Sequence, residues 1–321
     1  MQTFILAGGF ATRLWPITER RAKPLLPLAG KPILTYVVEA VPASTNISVS
    51  TNAVFADDLK RWSKKIGGRK ISIIIEDTGH EGEKLGALGA VAKWLTESKI
   101  DDDVLLLAGD NYVGARMEDF LSQRRDRPLI AAHDIGDTAL ASQFGTVIVK
   151  KDGDRTVVSS FEEKPLHPKS TLVSTGWWWL PKSSLGVVKT FAAAHPDNVG
   201  GVFEEFLRQG VGVDCFVFAD TWKDIGSFEA YMSLHREIVG EKSLIDPSSK
   251  VSPDSVLKGS VDIGPKTTVG KSVITDSIIF GDTTITDCVL ERCIIDTGCT
   301  LSGIDLTDKM LRAGTVLKRP S

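Results

Sequence analysis

The sequence predicts an α/β domain built on a mainly parallel sheet over residues 1–240, followed by a short parallel β-helix over residues 241–321. Three observations carry this. Short aliphatic runs alternate with helix-period segments up to about residue 240. That alternation then stops. From Ile263 onward, single aliphatic residues recur at steps that sum to sixteen.

In the first part, Phe4–Leu6, Ile47–Ser50, Ile71–Ile75 and Val104–Ala108 are candidate strands. Helical segments are expected between them at Ile33–Ala40, Phe55–Ile66 and Leu85–Leu95. Strands apolar on both faces, joined by helical crossovers, indicate a parallel sheet covered on both sides. Ligands of such sheets gather beyond the carboxyl ends of the strands. The unusual residues of this chain follow Leu6, Ile75 and Ala108, at those ends.

The second part reads differently. Ile263, Val269, Ile274, Ile279, Ile285, Leu290, Ile295, Leu301 and Leu306 are separated by 6, 5, 5, 6, 5, 5, 6 and 5 residues. Each as far as Leu301 meets another aliphatic sixteen residues on, with Gly, Ser, Thr and Asp between. Inward aliphatics alternating with turn formers are the pattern of a parallel β-helix, about three coils here, with a less regular coil over Ile245–Val261. An antiparallel sheet would show period two within longer strands.

Composition narrows the function. A 42% hydrophobic content with 29 Gly and 14 Pro excludes disordered, collagen-like and coiled-coil classes. With 38 Lys+Arg against 41 Asp+Glu, the net charge of −3 argues against nucleic acid or an anionic membrane as partner. No apolar run approaches the roughly 20 residues of a membrane span, and MQTFILAGG lacks the basic region and cleavage site of a signal peptide. The four cysteines, Cys215, Cys288, Cys293 and Cys299, form no C-x-x-C pair and read as small buried side chains in a reducing, cytoplasmic setting.

The first loop, Leu6-Ala7-Gly8-Gly9-Phe10-Ala11-Thr12-Arg13-Leu14-Trp15-Pro16, puts two glycines straight after a buried strand. The backbone can turn tightly there and offer N–H groups to an anion. Thr12, Arg13 and Lys23 add a hydroxyl and two cations, the equipment a triphosphate requires. The loop is neither a Walker A sequence nor a G-x-G-x-x-G dinucleotide fingerprint.

Read to Lys23-Pro24, this segment closely resembles the signature of the sugar-1-phosphate nucleotidyltransferases, the NDP-sugar pyrophosphorylases. Ala108-Gly109-Asp110-Asn111, Phe144-Gly145, Glu163-Lys164-Pro165, Ser174-Thr175-Gly176 and Trp222-Lys223-Asp224-Ile225-Gly226 follow in the order of that family's motifs. The resemblance spans residues 1 to about 240. It implies a Rossmann-like catalytic domain, and a β-helix that is left-handed, as in many members.

It also implies a chemistry. An oxygen of a sugar 1-phosphate attacks the α-phosphorus of a nucleoside triphosphate and pyrophosphate leaves, with no covalent enzyme intermediate. By resemblance, Asp110 and Asp224 bind Mg²⁺, which is content with one or two carboxylates plus phosphate oxygens. Leu6, Ala7, Gly8, Gly9 and Thr12 line the nucleotide, while Arg13 and Lys23 hold its triphosphate. Lys164 grips the sugar phosphate. Gly145, Glu163, Ser174 and Gly176 receive the sugar, and Trp177, first of three consecutive tryptophans, would wall its pocket.

The segment His80 to Ala90 resembles the base-reading stretch, with Glu81 five residues before Gly86. An ionised carboxylate only accepts hydrogen bonds, which suits the paired donors of guanine, and GDP-mannose pyrophosphorylases of the family carry Glu at this position, so the resemblance favours GTP with mannose 1-phosphate. The alternative is a glucose-1-phosphate thymidylyl- or uridylyltransferase. A different class, a catalytically silent regulatory subunit that binds NDP-sugars, is suggested by Ala11 and Ala87, which stand where relatives carry Gly and Thr. Ala11 costs roughly 1 kcal/mol if its φ is positive. All five histidines precede residue 241, so the coils are expected to support self-association as a homo-oligomer rather than a second active site.

Overall fold

A computed structural model of the chain describes residues 1–9, 11–76 and 85–320. Packing divides it into two units, Met1–Gly9 with Leu34–Asp224, and Phe10–Ile33 with Ile225–Ser321. Residue 240 marks where helix periodicity ends, whereas the division by packing comes earlier and takes a stretch of the first loop with it.

The first unit is a nine-stranded sheet in the order Ile71–Glu76, Asn46–Asn52, Gln2–Leu6, Val104–Ala108, Leu172–Leu180, Leu129–Asp134, Asp214–Phe218, Arg155–Glu163, Gly145–Asp152. The four strands read from the sequence are the first four, all parallel. Helices Ile33–Ala40, Ala56–Lys65 and Ala87–Glu97 fall between them in the chain. The remaining strands make the sheet mixed. Gly145–Asp152 and Arg155–Glu163 are joined by a two-residue turn, and so tight a link permits only antiparallel pairing. Phe4, Leu106, Trp94, Trp178, Val188 and Phe203 are among the buried side chains of the core cluster. Phe4 and Trp94 stack at 4.6 Å, which fixes Ala87–Glu97 on the sheet.

The second unit contains the helix Phe228–Val239 and the coils. Ser227 caps the helix, its Oγ accepting from the Ala230 N–H at 3.2 Å, and Gly240 ends it with φ of 67°. Arg236 with Asp276, and Glu229 with Arg292, tie this helix to the coils. The coils stack as three parallel sheets of five, five and four strands. The register reproduces the sixteen-residue step: Ile263, Ile279 and Ile295 pair in one column, Val269, Ile285 and Leu301 in another, Ile274, Leu290 and Leu306 in the third. Eight of these nine are within 1% of full burial and Leu306 packs against them.

The stack is longer than the three regular coils expected. It continues through Met310–Leu311 and Val316–Lys318, and it opens with the less regular coil expected after Ile245, in which Ile245 pairs with Ile263 and Val251 with Val269, eighteen residues on. Asp276, Asp282, Asp287 and Asp308 hold positive φ, so short polar residues that tolerate this conformation account for much of the turn composition. Three parallel faces of this kind are consistent with the left-handed form. Cys215, Cys288, Cys293 and Cys299 are buried free thiols. Among the described residues, no helix is long and apolar enough to cross a membrane.

Candidate active site

The site grows from the carboxyl ends of parallel strands in the first unit. Leu6 pairs with Ala108, so the loops after both leave the sheet side by side. The Gly109 N–H donates to the Leu6 carbonyl at 2.8 Å, and a Cβ on Gly109 would lie 2.8 Å from that oxygen, so no larger residue fits. Gly176 closes in from the next strand with φ of 79°; a Cβ there would lie 2.6 Å from that of Ala108. Three of the sequence-predicted segments, Leu6–Gly9, Ala108–Asp110 and Gly176, are thus neighbours.

The Gly8-Gly9 turn is braced by residues the motifs do not include. Asn52 is fully buried; its Nδ2 donates to the Gly8 carbonyl at 3.0 Å and its Oδ1 accepts from the Phe55 N–H at 3.1 Å. The Ala7 N–H reaches Ser50 Oγ at 3.4 Å. Glu76 pairs with Asn52 in the register, and a Cβ on Gly8 would come within 2.8 Å of Glu76 Oε1. Burial raises the Glu76 carboxyl above its ordinary range, opposed by a hydrogen bond with Ser50 and by Lys93. Ser50 ends a candidate strand, and Asn52 and Glu76 follow candidate strands, in the region where α/β sheets place ligands.

Asp110 and Asp224 are brought together. Asn111–Val113 and Trp222–Asp224 form a two-stranded antiparallel ribbon in which Asp224 faces Asn111, the residue after Asp110. The Asp110 Oδ1 accepts from Asn111 Nδ2 at 2.9 Å. Buried Trp222 fixes the ribbon, its Nε1 donating to Asn111 Oδ1 at 3.0 Å and to the Thr175 carbonyl at 3.2 Å. Both carboxylates are half-buried. Asp110 and Asp224 supply oxygen donors of the kind Mg²⁺ takes alongside phosphate oxygens. Among the described residues no group of three or more His, Cys, Asp or Glu could make a closed protein cage.

A second cluster surrounds Glu163. It pairs with Gly145, and a Cβ on Gly145 would lie 2.9 Å from Glu163 Oε2; on Gly200 the clash would be worse, at 1.8 Å. Its N–H donates to Glu204 Oε1 at 2.7 Å. Burial raises the Glu163 carboxyl, Glu204 adds to the rise and Lys164 opposes it. Lys164 holds a positive φ of 46°, uncommon for a lysine, with its N–H on the Phe144 carbonyl at 3.1 Å and its Nζ 3.9 Å from Glu163 Oε1. Ser174 Oγ accepts from Trp178 Nε1 at 3.0 Å, beside an irregularity between Ser174 and Trp178. Trp177 differs from its expected place: its ring is 3% exposed and packs on Phe120 at 5.8 Å, so it belongs to the core rather than to a pocket wall.

Gly86, with φ of 80°, precedes the helix Ala87–Glu97, and its Cβ would lie 2.3 Å from the Pro196 carbonyl oxygen. That carbonyl takes the Leu88 and Gly89 N–H groups at 2.8 and 3.0 Å. Glu81 lies outside the described residues.

In the second unit, Ala11 is left-handed at φ 50° and ψ 46°, and Thr12–Leu14 follows as one 3-10 turn. Its carbonyl accepts from the Leu14 N–H at 3.1 Å and Thr18 Oγ1 at 3.0 Å. Thr12 and Arg13 are exposed, while Lys23, opening the 3-10 turn Lys23–Leu25, is 7% exposed.

The Nucleotidyl transferase family profile matches residues 2–241. The chain is 28% identical over 285 residues to a protein of Sulfolobus acidocaldarius provisionally named a mannose-1-phosphate guanyltransferase, covering 87% of this chain and 76% of that one. It is likewise 28% identical over 286 residues to a glucose-1-phosphate thymidylyltransferase of Streptomyces antibioticus, covering 88% and 78%. A glucose-1-phosphate adenylyltransferase of Thermomicrobium roseum is 27% identical over 354 residues, covering 92% and 81%. Among solved structures, a protein of Bacillus anthracis provisionally named a glucose-1-phosphate thymidylyltransferase, in complex with sucrose, superposes with a TM-score of 0.63 at 21% identity, over 74% of this chain and 94% of that one.

Proposed function

The chain belongs to the nucleotidyl transferase family, and on that footing we propose that it joins a nucleoside triphosphate to a sugar 1-phosphate, giving an NDP-sugar and pyrophosphate. The observation that carries this reading is the pairing of Asp224 with Asn111, the residue that follows Asp110, beside the strand end that opens into Gly8-Gly9.

The reaction needs no nucleophile from the protein. The sugar phosphate oxygen forms the new bond to the α-phosphorus, and the bond to the departing pyrophosphate breaks. The protein must hold two anions together and balance their charge. Asp110 and Asp224 would hold Mg²⁺, which when bound offsets phosphate charge and orients the triphosphate. The backbone of Ala7, Gly8 and Gly9, braced by Asn52, would line the nucleotide. Arg13 and Lys23 are assigned the triphosphate, and Lys164 the sugar phosphate. Glu163, wedged against Gly145 and Gly200, would accept from a sugar hydroxyl, and Ser174 keeps its own O–H to donate.

Within this class, GTP with mannose 1-phosphate is the pair we favour. Its support is the acceptor-only chemistry of Glu81, and relatives' names include guanyl, thymidylyl and adenylyl transfer alike. Self-association through the coils belongs to the same reading, supported by Val256, Val273 and Val289, which stack in register with Val256 and Val289 exposed.

Pyrophosphate release with Mg²⁺, over a panel of triphosphates and sugar 1-phosphates, tests the proposal. Turnover should be greatest with GTP. Absence of product with every pair would refute the enzyme reading in favour of an NDP-sugar-binding regulator. Glu81→Gln should move preference towards UTP or dTTP by roughly 10- to 100-fold, the worth of one base-edge contact. An unchanged ranking would remove the guanine argument.

A further inference from the structure

Residues 11–33 carry Thr12, Arg13 and Lys23, yet they have little internal structure. They comprise two 3-10 turns and the two-residue ladder of Pro27–Leu28 with Lys31–Pro32. Short turns of this kind are marginal by themselves, and the segment is also held by its buried side chains, among them Leu14, Ile17 and Leu26. Polar anchors to the helix and coils of the same unit add to this. The Tyr231 hydroxyl donates to the Pro27 carbonyl, and Asp262 Oδ2 accepts from the Gly30 N–H at 3.0 Å. Arg312 spreads over Trp15 at 5.5 Å and approaches Glu19 at 3.9 Å, on an exposed surface where such a pair contributes little.

Arg21 makes the most contacts with the coils among these anchors and lies two residues before Lys23. Its Nη2 donates to Thr297 Oγ1 at 2.9 Å and to Asp296 Oδ1 at 3.3 Å, and its guanidinium covers the Phe280 ring at 5.1 Å. Asp296 is 3% exposed and is itself held, its Oδ1 accepting from the Thr297 N–H at 2.7 Å. A planar fork that pairs, donates and stacks at once is a contact lysine cannot reproduce. The partners come from two successive coils, so the clamp is seated on the rigid ladder.

We propose that Arg21 is a positioning residue: by clamping this segment to Phe280, Asp296 and Thr297, it makes the β-helix set where the cations of the glycine-rich loop lie. The proposal rests on the reading that Arg13 and Lys23 hold the triphosphate. The coils then act on nucleotide handling through Arg21.

The experiment compares full-length wild type with Arg21→Met, Arg21→Lys and Asp296→Asn, by hydrogen exchange and by steady-state kinetics. In Arg21→Met the amides of residues 11–26 should exchange at least about tenfold faster, with protection of Val104–Ala108 and of the coils unchanged. The KM for the triphosphate should rise by about tenfold while that for the sugar 1-phosphate moves less than about twofold. Arg21→Lys should recover only part of either effect, and Asp296→Asn should move both in the same direction, which keeps the test available if Arg21→Met folds poorly. Unchanged exchange over residues 11–26, or equal rises in both KM values, would overturn the proposal. If wild type turns over no substrate pair, the enzyme reading fails, and the exchange result still decides whether Arg21 holds the segment.

Discussion

Gly176 offers a sharp test of how the site is built, because two separable effects exclude a side chain there. Its φ of 79° is one that an L-residue adopts at a cost of about 1–2 kcal/mol. Independently, an added Cβ would lie 2.6 Å from the Ala108 Cβ, and relieving such overpacking costs about 1–3 kcal/mol. Gly176→Ala should therefore lose about 2–5 kcal/mol, read by urea unfolding through the fluorescence of Trp177, Trp178 and Trp179 on the same strand. Ala108→Gly alone should cost about 0.5–1 kcal/mol, as glycine does within a strand. Combined, the two changes should cost less than their sum by about 1–3 kcal/mol, because the second removes the atom the first strikes. The backbone share remains in the double variant. Strict additivity would refute the close approach of these strands, and a Gly176→Ala protein as stable as wild type would refute both effects.

Three other outcomes follow from the same geometry. Ala11→Gly should raise stability by about 1 kcal/mol, since glycine occupies φ 50° without strain; a loss of stability by thermal unfolding would contradict the left-handed assignment. Asp110→Asn and Asp224→Asn should each lower kcat/KM by roughly 10²–10³ with little change in stability, and titration with Mg²⁺ should show weakened metal dependence in both; full activity in either variant would remove it from the metal site. The buried pair His235 and Asp262, 3.9 Å apart, should oppose one another in acid. Burial pushes Asp262 up to about 6, so the folded form holds the extra proton between pH about 4 and 6 and stability falls as pH rises through that window. Burial pushes His235 down to about 4, so there the unfolded form holds the extra proton and stability rises with pH up to about 6.5. Relative to wild type between pH 4 and 6, Asp262→Asn should lose about 1.4 kcal/mol per unit of acidification and His235→Leu should gain as much. Parallel profiles in all three proteins would disprove the opposition.

Much of the fold was legible because its signals are local or periodic. A coil that repeats every sixteen residues must place an aliphatic at each inward position, and the columns Ile263–Ile279–Ile295 and Ile274–Leu290–Leu306 are that period made spatial. The parallel half of the sheet was readable for a similar reason, as its strands are apolar throughout and its ligand loops follow their carboxyl ends. Asp110 and Asp224 could be chosen by motif, although more than a hundred residues separate them.

What tertiary structure alone decided are contacts between groups with no common local pattern. Asn52 supports Gly8 across 44 residues of chain, and Arg21 reaches Thr297 across 276. Glu76 lies against Gly8 because neighbouring strands end level, and Trp177 turns inward because the alternation of its strand points it at Phe120. The packing of the early loop segment with the coils belongs to this group too. A sequence records propensity and period along one dimension, so it specifies elements well. Which side chains meet depends on register, strand order and the distances between elements, quantities that come into being only when the chain has folded.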